Sequence, residues 1–192
     1  GIHGSPRSNG NSAALLDAAL ASAEAAGGET QRLRVAELNF VPCQNCRYCA
    51  KTGVCRIQDE MARIYEAVDT SDVVLLAAPI YFCSLPAQTK AMVDRCQSYW
   101  SRKYELDQPP VKEGRVGGFL CCCGFKDDRF LACTEQIVKT WFYILGIDYA
   151  GVLFFPKLDK PGDAAEHPTA LDDARDYGRR IAEQWQAAHA KG

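Results

Sequence analysis

Val73-Val74-Leu75-Leu76-Ala77-Ala78 is apolar at six consecutive positions. A strand with one wet face alternates apolar and polar residues. A strand apolar on both sides has to be covered on both, as in the middle of a parallel sheet with helices above and below. The rest of the chain reads as the cover. Ile2-His3 ends a first strand, and a helix over 11–26 carries Leu15, Leu16, Ala19, Leu20 and Ala23 on one face before stopping at Gly27-Gly28. Alternation over Thr30–Leu38 predicts strand 2. Asp59 opens a helix with Met61, Ile64, Tyr65 and Val68 at helical spacing. After the central strand, Leu85-Pro86 starts a helix with Met92, Val93 and Cys96 in its stripe. Arg115–Cys122 is strand 4, 129–145 a helix closed by Gly146, Ile147–Phe155 strand 5, and a last helix has Leu171, Ala174, Ile181 and Trp185 in its stripe. Five strands alternate with five helices and nothing repeats internally. The expected fold is a single α/β domain over 1–192, a three-layer sandwich on a five-stranded parallel sheet. The doubly wound order that suits five strands is 2-1-3-4-5.

The 192 residues are 47% hydrophobic and 24% charged, enough for one core, and the net charge of −2 is spread without a basic patch. Nucleic acid is therefore not an expected partner. Six apolar residues are too few to span a bilayer, so no membrane association is expected. No signal peptide is visible, and Gly1 falls inside the first strand, so a few residues are expected to precede it. Ten cysteines are many. Four crowd into residues 43–55 and three are consecutive at 121–123, which suits metal or redox chemistry in a reducing compartment better than a disulfide framework. The expected location is cytoplasmic.

In such sheets ligands bind beyond the carboxyl ends of the strands, at the switch between strands 1 and 3. Three loops are expected there: 4–12, 79–84 and 123–128. The first, Gly4-Ser5-Pro6-Arg7-Ser8-Asn9-Gly10-Asn11-Ser12, joins a strand to a helix start. Helix N-termini present unpaired N–H groups and positive potential, and so bind anions. Gly4 and Gly10 allow close backbone approach. Ser5, Asn9, Asn11 and Ser12 add side-chain donors and Arg7 a charged fork. The bland alternative is an ordinary turn with Asn11 or Ser12 as N-cap. Neither a dinucleotide G-x-G-x-x-G nor a G-K-[ST] P-loop is present, which leaves a mononucleotide phosphate. The second loop, Pro79-Ile80-Tyr81-Phe82-Cys83-Ser84, offers backbone groups and two aromatic rings, and the third offers Cys123 and Gly124. A phosphate cradle beside an aromatic loop suggests flavin mononucleotide, FMN, whose chemistry the protein tunes by contacts around the ring. Plain packing is the alternative for Tyr81 and Phe82. No catalytic side chain is assigned, because the flavin carries the reaction.

The cysteine run is Cys43-x₂-Cys46-x₂-Cys49-x₅-Cys55, inside a loop over 42–57. One compact loop can bring four thiolates to a single [4Fe–4S] cluster. A Cys₄ zinc site and free thiols packed under the loop are the alternatives. Cys96 and Cys133 are expected to be buried in helices. Cys121 and Cys122 are expected on opposite faces of strand 4, with Cys123 at the flavin. His3 is expected to pack in its strand, His167 and His189 to lie on the surface, and Asp127-Asp128 to mark a helix start. Ser98–Glu113, about 98–113, is an insertion for which a dimer contact or a lid is the expectation.

Gly4-Ser5-Pro6-Arg7, Gly10-Asn11-Ser12, the 79–84 loop with Pro86, Ala87, Lys90 and Asp94 behind it, and the cysteine run together resemble the flavodoxin-like NAD(P)H-dependent FMN reductases, and among them the iron–sulfur flavoproteins. The resemblance covers nearly the whole chain. It implies tightly bound FMN, a homodimer or homotetramer with the flavin near a subunit interface, and a cubane cluster on the four cysteines. The chain departs from the family at Cys83, where glycine is usual, and at Cys121–Cys123. The implied function is an FMN-dependent electron-transfer oxidoreductase, with NAD(P)H as cosubstrate and a small-molecule or redox-protein donor or acceptor. A cluster-free FMN or quinone reductase and a non-catalytic flavodoxin-type carrier share the same fold.

Overall fold

The computed structural model describes residues 1–190. Its elements are β1 (Ile2–His3), α1 (Asn11–Ala25), β2 (Leu33–Arg34), a 3₁₀ turn (Val35–Glu37), α2 (Cys49–Thr52), α3 (Met61–Thr70), β3 (Val73–Pro79), α4 (Ala87–Arg95), α5 (Gln97–Tyr104), β4 (Arg115–Cys122), α6 (Leu131–Leu145), β5 (Ile147–Phe155), α7 (Asp163–Glu166) and α8 (Ala170–His189). The strands form one parallel sheet of order β2-β1-β3-β4-β5. Strand alternation sends Leu75, Ala77, Leu120 and Cys122 to the side covered by α1 and α8. Val74, Leu76, Ala78, Phe119 and Cys121 face α3, α4 and α6. Cys121 and Cys122 thus lie on opposite faces, as period-two geometry requires.

Several boundaries moved. Strand 2, expected over 30–38, is only Leu33–Arg34, paired to Ile2 and His3. Its partner leaves the sheet at Gly4, so a longer strand would have no ladder to join. Val35 is still buried, from the 3₁₀ turn. The helix after β3 begins at Ala87 with Pro86 outside it. The helix after β4 begins at Leu131, because the Asp127 carboxylate is bound to the Arg129 guanidinium and N–H rather than opening the helix. Cys133 is exposed on α6 and not buried as expected, whereas Cys96 is buried. His167 is half-buried, and its Nδ1 accepts the Ala170 N–H at 3.1 Å at the start of α8. His189 is exposed and stacks on Trp185. The 98–113 stretch starts as helix α5, with Ser98, Tyr99 and Ser101 buried.

Between Gly117 and Phe119 the β4–β5 pairing shifts register. Gly151 stands opposite with φ +110. The Phe119 N–H donates to the Tyr177 hydroxyl (3.0 Å), which donates to the Gly151 carbonyl (2.6 Å). A side chain from α8 thereby closes the gap that the bulge leaves in the ladder.

Candidate functional site: an anion loop and a four-thiol loop

Loop 4–10 leaves β1 under tight control. The Gly4 N–H donates to the Ala77 carbonyl at 2.8 Å, and Thr89 Oγ1 on α4 donates to the Gly4 carbonyl at 2.5 Å. A Cβ at Gly4 would stand 2.6 Å from Thr89 Oγ1 and 3.2 Å from Ala78 Cβ, so only glycine fits. Ser5 is buried and accepts the Arg7 N–H at 3.2 Å, a hydroxyl-closed turn that exposes Pro6 to Asn9. Gly10 is the N-cap of α1, in extended conformation and with no side-chain cap bond. The N–H groups of the first turn are therefore not capped by a side chain, as an anion site needs.

The side chains expected as donors divide. Arg7 is exposed, with Nη1 on the Asp159 carbonyl (2.8 Å), which leaves its remaining donors for a ligand. Asn11 is used structurally: Nδ2 donates to the Lys160 carbonyl (2.9 Å) and Oδ1 accepts the Ala164 N–H (3.0 Å). Its amide matches one acceptor and one donor of the segment after β5, so it staples that segment to α1. Ser12 is buried, with Oγ 3.5 Å from His3 Nε2. His3 packs inside, as expected. Burial, with Arg32 and Arg34 nearby, holds its pKa down to about 4.

In the second loop, the Ile80 N–H donates to the Cys122 carbonyl (3.0 Å) and Ile80 is buried. Tyr81 and Ser84 exchange backbone bonds of 2.9 Å each around Phe82 (φ 49) and Cys83 (φ 60). Positive φ at both central positions marks a type I′ turn, which normally takes Asn or Gly. Phe82 at its tip is 101% exposed. In the third loop, Cys123 continues the sheet by bonds to Phe155 and Leu158 and its side chain is buried. Burial raises the Cys121, Cys122 and Cys123 thiols, Cys122 to about 12, so all three are protonated at neutral pH. Gly124 packs against Asp159, where a Cβ would come within 3.2 Å.

The three loops are thus linked: the first to β3 and α4 through Gly4, the second to the end of β4 through Ile80, the third to the Asp159 segment that Arg7 and Asn11 grip. That fourth segment, 157–163, was missed from sequence. The Asp163 carboxylate accepts the Asp159 and Lys160 N–H groups at 2.8 Å each. Its position after a carboxyl strand end was the available signal.

Cys43, Cys46, Cys49 and Cys55 border one cavity of about 30 Å³, together with Arg95, Ser98, Trp100 and Ser101. Cys43 and Cys46 are exposed, Cys49 and Cys55 half-buried. Asn45 and Arg47 take left-handed backbone on either side of Cys46. Ser101 Oγ donates to Cys49 Sγ at 3.3 Å, Arg102 Nε to the Gly53 carbonyl at 2.7 Å, and Arg47 pairs with Glu105. Helix α5 is therefore the platform of the cysteine loop. Among the described residues, no three His, Cys, Asp or Glu side chains are gathered to metal-binding distance. The donor set, four soft thiols on one cavity, fits an iron–sulfur cluster or zinc; their separations are those of a spread loop.

The neck of that loop is held by Arg95, which sequence reasoning missed because it stands in the apolar stripe of α4. Nη1 donates to the Val41 carbonyl and Asp59 Oδ2 (both 2.7 Å), and Nη2 to the Ile57 carbonyl (3.2 Å) and Asp59 Oδ1 (3.0 Å). Partial burial works against the Asp59 carboxylate, but bonds from Arg95 and from the Val41 and Met61 N–H groups outweigh it and hold its pKa below the ordinary value.

Residues 1–147 match the family described as NADPH-dependent FMN reductase. An iron–sulfur flavoprotein of Archaeoglobus fulgidus is 30% identical over 194 residues, covering 98% of this chain and 80% of its own length. One from Methanosarcina thermophila is 32% identical over 151 residues, 79% of this chain and 75% of its own. Among solved structures, an NAD(P)H:quinone oxidoreductase from Methanothermobacter marburgensis superposes with a TM-score of 0.72 at 17% identity, over 94% of each chain.

Proposed function

Because the chain belongs to the NADPH-dependent FMN reductase family, in its iron–sulfur flavoprotein branch, and so is an FMN-dependent oxidoreductase, we propose that it moves electrons from a reduced donor such as NAD(P)H to a small-molecule or redox-protein acceptor. The observation that carries this reading is the anion loop, uncapped at the start of α1 and tied to the other two rim loops. FMN, when bound, supplies the redox chemistry.

The residues then act by position and charge. The first-turn N–H groups of α1 and the free donors of Arg7 hold the phosphate, with Ser5, Asn9 and the Ser12 hydroxyl around it. Asn11 contributes its backbone and keeps the 157–163 segment in place. Pro79 to Ser84 present backbone groups to the ring edge, and the outward Tyr81 and Phe82 cover the ring or meet the acceptor. Gly124 borders the ring from the third loop, and Cys123 supports it from below. Cys43, Cys46, Cys49 and Cys55 would hold a [4Fe–4S] cluster, which would supply single-electron chemistry there. Helix α4 joins the two sites: Thr89 touches the anion loop and Arg95 the cysteine loop, six residues apart, about 9 Å along the axis. A homodimer or homotetramer belongs to the same reading. It is supported by an apolar groove of about 680 Å³ bordered by Trp100, Ile137, Trp141 and Ile144.

The spread of the four thiols favours one rival, a cluster-free FMN or quinone reductase. Anaerobic purification with an ultraviolet–visible spectrum, iron and sulfide assays and stopped-flow reduction by NADH and NADPH decides. Flavin bands with about four irons and four sulfides per chain are expected. A colourless protein would refute the whole reading, flavin without iron the cluster alone, and no reduction by either nucleotide would leave a carrier and not a reductase.

A further inference from the structure

Arg95 is almost fully buried, and its side chain has no solvent exposure. A guanidinium has five N–H donors. Four of Arg95's are used on Val41, Ile57 and both oxygens of Asp59. Val41 and Ile57 flank the cysteine loop on its two sides, so one planar group closes its neck. The fifth donor, Nε–H, is buried without a partner, and Arg95 borders the same cavity as the four thiols. An unpaired buried donor is costly unless something accepts from it. The acceptors nearest in chemistry are sulfur atoms, which carry the negative charge of a thiolate-ligated metal centre.

Resting on the reading that these thiols bind metal, we infer that Arg95 is the positioning residue of a thiolate metal centre at Cys43, Cys46, Cys49 and Cys55: its fork holds the loop's two ends together, and its remaining Nε–H donates to sulfur. Such outer contacts orient ligands and tune the metal. The charge favours the more negative, reduced form of a cluster, so its loss lowers the midpoint potential. The fork fixes the loop geometry, so its loss weakens binding even where the charge is kept.

The test uses the full chain with FMN bound. Wild type, Arg95→Gln, Arg95→Lys and Asp59→Asn are reconstituted anaerobically with Fe²⁺ and sulfide. Separately, metal-free samples are titrated with Co²⁺, whose sulfur-to-cobalt charge-transfer band reports thiolate ligation. Both Arg95 variants and Asp59→Asn should bind cobalt about 10-fold or more weakly. Arg95→Gln should shift the cluster potential negative, whereas Arg95→Lys, with the charge kept, should stay near wild type. A merely structural role would lower the melting temperature and leave the potential of the surviving clusters unmoved. Wild-type cobalt affinity and potential in Arg95→Gln would overturn the inference and leave the cluster reading standing. If Arg95→Gln does not fold, the cobalt affinities of Arg95→Lys and Asp59→Asn decide. Wild type that binds cobalt but no iron refutes the cluster only, and the cobalt affinities then decide the inference. Wild type that binds neither removes both.

Discussion

His3 lies fully buried beneath the anion loop, with Nδ1 unpartnered and Nε2 facing Ser12. Its pKa is about 4 when folded, against about 6.5 for an ordinary histidine. Between those values the unfolded chain binds the proton and the folded one does not, so stability falls as pH drops through that window and is flat below it. The expected loss is roughly 2 kcal/mol after allowing for solvent screening. Urea unfolding of wild type and His3→Gln at pH 7.0, 5.5 and 4.0 checks it; parallel curves for the two proteins would contradict the assignment. Gly4 is controlled by space rather than charge. Gly4→Ala should cost about 1–3 kcal/mol, because Thr89 and Ala78 have to give way. It should also weaken FMN retention, which equilibrium dialysis measures; unchanged retention would separate this close contact from the phosphate site.

At the scale of elements, the bulge between β4 and β5 depends on α8. Tyr177→Phe leaves the buried Phe119 N–H and the half-buried Gly151 carbonyl without their shared hydroxyl. A loss of about 1–3 kcal/mol is expected. A thermal melt within error of wild type would show that water replaces the hydroxyl. Nothing in the sequence signalled this contact, since it joins residues far apart in the chain. By contrast, β4 and β5 were legible to the residue, because Arg115–Cys122 and Ile147–Phe155 are mainly apolar, apart from Arg115 and Asp148, and are bounded by Gly114, Gly146 and Pro156. Strand 2 was overextended because alternation reports which side chains are buried, and Val35 is buried without a ladder partner. Helix α5 was read as an excursion because two of its three buried residues are serines, Ser101 bonding Cys49 of the cysteine loop, while Tyr99 packs on Tyr65 and bonds Asp69 of α3.

For the whole molecule, ligand binding and metal binding should be separable. The proposed FMN site lies on loops that extend β1, β3 and β4, so bound FMN should stabilise the sheet by mass action. At a free concentration 100 times Kd this is about 2.7 kcal/mol, or a rise of about 5–10 °C in Tm. The cysteine loop hangs on α5 and the Arg95–Asp59 neck, outside the sheet, so iron chelation should move the main transition by less than FMN does. Calorimetry of FMN-loaded protein with and without chelator tests this, and a larger drop on chelation would mean that the loop is part of the cooperative core. The amino-acid order alone determined the layered fold, the sheet order and the three rim loops, because period, apolar runs and glycine positions are local properties of a chain. Tertiary structure alone decided which donors stay free, Arg7 and not the Asn11 amide, and which charge closes the thiol loop. Those outcomes depend on which partners arrive from elsewhere in the chain, and hydrogen-bond capacity is spent only once they meet.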